Sequence, residues 1–370
     1  MRNLLKMPES KPIVKSKKQA INRITYSPAY TLVPTYECFN RCDYCNFRVD
    51  PGGNQWLSVE VARDRLLTLP AQGVIEILIL SGEVHPRSDR RSAWLDRIYD
   101  LCELALDLGF LPHSNVGILS EAEMVRLKAV NVSMGLMLEQ ITPRLQQTRH
   151  RHAPSKDPAT RLRHLDTAGR LQIPFTTGLL LGIGETEADW RETLAAIATS
   201  HYQWGHIQEV ILQPYNPGSG ETYRGLGISG AQMIRAVELA REMLPPDVQI
   251  QIPPNLIDTP DTLLACLAAG ARDLGGIGPI DEVNPDYRHQ QLDDLRELLA
   301  RNGWHLTRRL PLYPEGDRCL PNSLKPAVTR WRGAIAEDQL DASYQLMADD
   351  QEREIETFAW AEALIGDSET

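Results

Sequence analysis

YTLVPTYECFNRCDYCNFR, Tyr30 to Arg48, starts as an apolar run and ends in a loop with three cysteines spaced C-x3-C-x2-C. A short apolar run bounded by a polar loop reads as a buried strand, so Cys38, Cys42 and Cys45 lie just past a strand end. The same pattern repeats downstream. Strand-like runs follow at EILILSG (76–82), PHSNVG (112–117), NVSMGLML (131–138), PFTTGLLLG (174–182), EVILQPY (209–215), VQIQIPP (248–254) and DLGGIGP (273–279). Helical stretches such as SVEVARDRLLTLPAQG, AWLDRIYDLCELALDLG and EADWRETLAAIATS separate them. Many open on Ser, Thr or Asp and close at Gly, the residues that cap helices. Strand alternating with helix implies parallel strands joined by right-handed crossovers. Eight such units predict an α/β fold, a (β/α)8 TIM-type barrel, closed or nearly so. The third and last strands carry the weakest patterns, which leaves an open six-stranded variant as the alternative. Chemistry in such barrels sits on the loops after the strands, where the cysteines fall.

The expected organisation is a basic N-terminal arm at 1–25, a barrel at 26–315 and an acidic C-terminal helical extension at 316–370. The extension carries one helical pattern, EREIETFAWAEALIG.

The chain has 370 residues, 42% of them hydrophobic and 24% charged, which is globular composition with room for a large core. A net charge of −10 disfavours nucleic-acid binding, which relies on basic surfaces. No apolar run reaches the ~18 residues of a membrane span. The start, MRNLLKMPESKPIVKSKK, is basic but lacks the apolar core of a secretory signal. Cys102 and Cys266 sit in apolar helical runs and read as small buried hydrophobes, and Cys319 stands apart. A reduced, cytoplasmic protein is expected.

Three thiolates in one tight loop can wrap one face of a metal centre. A structural zinc wants four ligands, and the nearest histidine downstream, His85, is not suggested by spacing. A zinc-stapled binding module therefore stands as the reading from a different functional class. An iron-sulfur cube held by three cysteines makes different sense, because its fourth iron keeps an open position.

With Tyr44 before the last cysteine, this loop resembles the signature of the radical S-adenosylmethionine (SAM) enzymes. The resemblance implies a 4Fe-4S cluster held by Cys38, Cys42 and Cys45 and completed by the amino and carboxylate groups of SAM. Cleavage of a C–S bond of SAM then gives a 5′-deoxyadenosyl radical that abstracts hydrogen from substrate. Further positions carry over. LSGEVHP resembles the family's Gly-Gly-Glu element, with Ser81 replacing the first glycine, so Gly82 and Glu83 would meet the SAM ammonium. GLMLEQ puts Glu139 where related barrels set a carboxylate on the ribose. Arg161 precedes Glu185 at the offset of an arginine near the SAM carboxylate in biotin synthase-like enzymes, with Arg163 as its rival. GLLLGIGET resembles the G-x-I-x-G-x-x-E element, so Gly182, Gly184 and Glu185 would support the adenine.

Within the superfamily, RITYSPAYTLVPTYECFNRCDYCNFR, LQPYNPGSGET and IPPNLIDTPDTLLACLAAGARDLGGIGPIDEVNPDY resemble the 7,8-didemethyl-8-hydroxy-5-deazariboflavin synthase family. That likeness spans about residues 22 to 315. It implies ring closure of a hydroxybenzyl–ribitylaminouracil adduct with loss of ammonia to the deazaflavin chromophore FO. It also implies a second synthase subunit that makes the adduct, a transient partner, and a ferredoxin- or flavodoxin-type reductant. The nearest alternatives are that second subunit itself, a menaquinone-pathway enzyme or another biotin synthase-like enzyme. No proton-transfer residue stands out. Tyr215, Asn216, Asn255, Asp258 and Asp273 are the candidates on late loops, each with a structural reading as well. His113 and His201 read as scaffold histidines.

Overall fold

The computed structural model describes residues 22–288 and 291–336. Strands β1 (Arg23–Leu32), β2 (Glu76–Leu80), β3 (Leu111–Asn115) and β4 (Ser133–Gly135) are followed by β5 (Phe175–Leu181), β6 (Ile207–Pro214), β7 (Gln249–Gln251) and β8 (Asp273–Ile277). All pair in parallel in chain order, and β8 returns to β1, which also pairs with β2, so the barrel is closed. The open variant is excluded. Helices α1 (Val59–Leu66), α2 (Arg91–Asp107), α3 (Glu121–Lys128), α4 (Pro158–Arg170), α5 (Glu187–Trp204), α6 (Gly230–Met243) and α7 (Pro260–Ala269) fill the crossovers; α8 (Leu292–Arg301) follows β8. Their starts obey the expected cap chemistry: Ser120 with Glu123, Thr186 with Asp189 and Ser229 with Gln232 form reciprocal capping boxes.

Two features depart from expectation. β1 begins at Arg23, inside the stretch expected as arm, because a ninth strand, β9 (His305–Arg308), pairs with Arg23–Tyr26 while β2 takes Ala29–Leu32. The chain after β9 then turns under the barrel. Leu310, Leu312, Leu320 and Leu324 join Val328 and Trp331 of α9 (Lys325–Ala336) against Ile75, Leu111 and Val132 at the strand starts. This second core seals the N-terminal end of the barrel and leaves the C-terminal end as the open one. The EREIETFAWAEALIG pattern lies outside the described residues.

The barrel floor carries buried charge. Arg309 makes a two-pronged pair with Asp273 (2.6 and 2.7 Å) and reaches Glu209 at 2.9 Å. Tyr313 donates to Asp273 at 2.8 Å. Burial alone would raise the Asp273 carboxyl, but Arg309 outweighs it and holds it low. Burial wins at Glu209, pushing it up to about 7 against the pull of Arg309. Asp273 is thus a structural anchor outside the cavity wall, a correction to its candidacy for proton transfer.

Candidate active site at the barrel mouth

The loop after β1 is pinned on several sides. Cys38 N–H donates to Val49 (3.1 Å), Phe39 N–H to the Glu83 carbonyl (3.0 Å) and Arg41 N–H to His152 (2.7 Å). The Asp43 carbonyl accepts from Thr222 and Tyr223 at 3.1 and 2.9 Å. Beneath it the buried Glu37 carboxylate accepts from Gly52 N–H (2.8 Å), Asn54 N–H (3.3 Å) and the Trp56 indole (3.1 Å), and pairs with Arg90 at 2.8 Å. Burial would raise this carboxyl, but the Trp56 indole, the two backbone N–H groups and Arg90 hold it below the usual range. Three segments remote in sequence, around Glu83–Arg90, His152 and Thr222–Tyr223, therefore help fix a loop with no regular structure of its own.

Cys38, Cys42 and Cys45 all line one cavity of about 370 Å³ that runs from this loop into the barrel. All six cysteines are free thiols, and no helix of the described residues is long and apolar enough to cross a membrane. Among the described residues no three His, Cys, Asp or Glu side chains converge on a single ion. Asn40 Nδ2 donates toward Cys38 Sγ at 3.7 Å, the kind of N–H···S contact that tunes a thiolate cluster. Burial pushes the Cys42 thiol up to about 12, with Lys156 pulling it down and Cys45 adding to the rise.

Glu83 and Arg161 meet on this wall. Arg161 Nη2 lies 3.5 Å from Glu83 Oε1, which also accepts from Ser155 Oγ at 2.9 Å. Arg161 Nε donates to the Ser155 carbonyl at 3.0 Å and Nη1 to that of Met137, so the fork is aimed from behind. Arg163 is exposed and bonds Thr160, whereas buried Arg161 lines the cavity. Glu139 has a left-handed backbone, φ 64°, rare for a non-glycine residue and costing about 1–3 kcal/mol. The surrounding sheet imposes it: Glu139 N–H bonds Gly178 (3.0 Å) and its carbonyl accepts from Leu180 (3.3 Å). Its buried carboxylate pairs with Lys156. Burial opposes ionisation there, yet Lys156 and Arg161 keep the carboxyl low.

Lys156 was not foreseen. Its one signal in the sequence is rarity: between residues 22 and 336 only Lys128, Lys156 and Lys325 break an otherwise arginine-only cation set.

Other expectations fare differently. Gly82 is required, since a Cβ there would lie 2.2 Å from the Glu37 carbonyl oxygen. Its own carbonyl, however, accepts from Ser81 Oγ (2.9 Å) and the Trp94 indole (3.2 Å), so it is already engaged. Ser81 needs no positive φ, which explains why serine serves where the family has glycine. Gly182, Gly184 and Glu185 do not line the cavity. Glu185 turns back to accept from Gly182 N–H (2.5 Å), Ile183 N–H (2.8 Å) and the Trp190 indole (2.8 Å). It holds the loop in shape and presents buried Ile183 to Leu145, Leu180 and Tyr215, with Tyr44 packed alongside. Tyr215, Asn216 and Asn255 do line the cavity, and Asp258 does not. The Tyr215 hydroxyl is bound to Glu221. His113 is buried at the cavity floor, kept neutral by burial and Arg309 with its value pushed down to about 3, and bonded to Ser133 at 2.6 Å. His201 pairs with Asp247 at 3.2 Å, away from the cavity.

The Radical SAM superfamily model matches residues 32–197. The chain is 61% identical over 308 residues to the 7,8-didemethyl-8-hydroxy-5-deazariboflavin synthase of Synechococcus elongatus, covering 83% of this chain and 92% of that protein. The enzyme of the same name from Gloeobacter violaceus is 54% identical over 314 residues, 85% of this chain and 97% of its own. Among solved structures, the FeFe-hydrogenase maturase HydG from Carboxydothermus hydrogenoformans superposes with TM-score 0.65 at 17% identity, over 88% of this chain and 82% of that one. Methylornithine synthase superposes with TM-score 0.60 at 16% identity, over 78% and 84%. Those two likenesses concern the fold alone.

Proposed function

The chain belongs to the 7,8-didemethyl-8-hydroxy-5-deazariboflavin synthase family of the radical SAM superfamily, and on that premise we propose how its residues divide the work. It converts 5-amino-5-(4-hydroxybenzyl)-6-(D-ribitylimino)uracil and SAM to 7,8-didemethyl-8-hydroxy-5-deazariboflavin, methionine, 5′-deoxyadenosine and ammonia. The catalytic unit is the barrel, residues 26–315 extended forward to Arg23 by the start of β1 and closed below by the segment that runs through α9. The observation that carries the reading is the placement of Cys38, Cys42 and Cys45 on the same cavity wall as Glu83, Glu139, Lys156 and Arg161.

Cys38, Cys42 and Cys45 would hold a 4Fe-4S cluster, leaving its fourth iron for SAM. Bound there, cluster and SAM supply the hydrogen-abstracting radical. The chain supplies orientation and exclusion of water. Glu83 and Arg161 form a long, weak pair at 3.5 Å. A zwitterionic amino-acid head would part this pair and replace it, its ammonium on Glu83 and its carboxylate on the Arg161 fork. Glu139 offers two acceptor oxygens to a ribose diol, with Lys156 keeping it ionised. Gly82 serves by letting its loop approach Glu37, while Gly182, Gly184 and Glu185 shape the wall that presents Ile183. Leu78, Leu80, Leu136 and Met137 give the cavity an apolar side suited to an aromatic ring. Free thiols throughout agree with work in the reducing cytoplasm. A second synthase subunit, met transiently, delivers the adduct, and a ferredoxin- or flavodoxin-type protein supplies the electron.

The test is anaerobic reconstitution followed by incubation with the adduct, SAM and reductant. FO and 5′-deoxyadenosine are the expected products. Coupling of tyrosine to 5-amino-6-(D-ribitylamino)uracil by this chain alone would instead assign it to the other half-reaction.

A further inference from the structure

The cavity is chemically two-sided. β2 lies across the barrel from β6, so the Leu78 and Leu80 side faces Gln213 of β6 and, one strand over, Gln251 of β7. In the β6–β7 register Ile211 aligns with Gln251. Gln213, two residues further, is therefore its diagonal neighbour on the same inward face. Neither glutamine makes a side-chain hydrogen bond to any described residue, though both line the cavity. Just above, Asn255 donates through Nδ2 to Asp281 (2.9 Å) and the Tyr287 carbonyl (3.1 Å). Its Oδ1 is buried and unpartnered. The place of the Gln251 amide is built: a Cβ on Gly275, φ 75°, would fall 2.2 Å from Gln251 Nε2, so the missing side chain is what makes room.

Buried polar groups without partners are costly. Asn255 Oδ1 is such a group, and the half-buried Gln213 and Gln251 amides face the same cavity without a side-chain partner among the described residues, so the three together suit a neutral ligand rich in both donors and acceptors. Resting on the activity proposed above, we propose that Gln213 and Gln251 read the cyclic imide edge of the substrate's pyrimidinedione, and that Asn255 Oδ1 accepts from its polyol chain. A primary amide matches an imide edge in both senses, since its carbonyl accepts the ring N–H while its NH2 donates to the ring carbonyl. The hydroxybenzyl group then falls on the apolar side. These are specificity residues, positioned away from the Glu83 and Arg161 wall.

The test uses reconstituted holoenzyme with Gln213→Met and Gln251→Met, which keep length and remove hydrogen bonding, and Gln213→Glu and Gln251→Glu, which keep shape but replace the amide's donor with a charged acceptor. Two constants are measured: KM for the adduct, and Ki for 5-amino-6-(D-ribitylamino)uracil, which retains the pyrimidine and polyol but lacks the benzyl group. SAM affinity serves as the folding control. Expected is a rise of about tenfold or more in both KM and Ki for each variant, with SAM affinity unchanged, because a site that pairs a substrate's polar edge discriminates strongly once the pairing is lost. Excess 5′-deoxyadenosine per FO should accompany it. If Met variants that still bind SAM keep wild-type KM and Ki, the assignment is overturned. Should a Met variant fail to bind SAM, the Glu variant at that position decides by the same two constants. Failure of wild type to convert the adduct is a separate outcome, which overturns the activity and this inference with it.

Discussion

Gly117→Ala moves Glu83 without altering it. Gly117 lines the cavity with φ 85°, and a Cβ there would lie 2.0 Å from Glu83 Cγ and 2.3 Å from its Cδ. No rotation of a flexible tip relieves that overlap, because the near atoms belong to the stem. The carboxylate must leave Ser155 and Arg161. The left-handed backbone costs alanine about 1–2 kcal/mol, against a typical domain stability of about 5–15 kcal/mol, so the protein stays folded. If Glu83 receives the SAM ammonium, the charged hydrogen bond lost is worth about 1.5–3 kcal/mol. That corresponds to a Kd for SAM raised roughly 10- to 150-fold. The assay is anaerobic calorimetric titration of SAM into wild type, Gly117→Ala, Glu83→Gln and the double variant. Because both substitutions act on one contact, the double variant should bind SAM no more weakly than the worse single one. A Gly117→Ala protein that is folded and binds SAM as wild type does would refute the reasoning. So would simple addition of the two losses, which would mean that the new methyl group acts on something other than Glu83.

Cys42→Ala should purify folded but without iron or the broad absorbance near ~400 nm of thiolate-bound iron; anaerobic metal analysis checks this, and zinc retained in wild type would reject the cluster. Arg161→Lys should weaken SAM binding about tenfold, since a point charge replaces a fork, whereas Arg163→Ala, at an exposed position, should leave it unchanged. Glu209 tests the barrel floor. Its folded value, about 7, lies above the ordinary 4.5, so the folded state binds the extra proton and stability falls as pH rises between those values. Glu209→Gln should remove this loss, gaining on wild type by up to ~3 kcal/mol above neutrality and by little below pH ~4.5. With an unfolding entropy of about 2.1 cal/mol/K per residue, that is a Tm difference of roughly 4 °C, and parallel Tm–pH curves for the two proteins would show that the floor carboxyl titrates alike in the folded and unfolded states, against this reasoning.

The cysteine loop, seven of the eight barrel strands and the helix caps were legible because each depends on residues near in sequence. A strand shows as an apolar run, a cap as a side chain three residues from its partner, and the thiols as a spacing. β1 was placed late because Arg23–Tyr26 is held by β9, whose own pattern is short and half-exposed. The constraint on Gly82 was not legible, since only a view of Glu37 and Trp94 reveals a close approach and an occupied carbonyl.

From residues alone come the succession of parallel strands, the thiol trio just past the first of them, and the family resemblance of the flanking segments; closure of the barrel came from the structure. The partners of each polar side chain were settled only by folding. Arg161 turns inward where Arg163 does not, Lys156 sits against Glu139, Glu185 spends its carboxylate on its own loop, and Asp273 is locked under Arg309. The physical reason is range. Hydrophobic periodicity is written in local order, whereas a buried charge or amide is satisfied by whichever group the fold brings to within about 3 Å, whether from its own loop, as at Glu185, or from another element, as at Asp273.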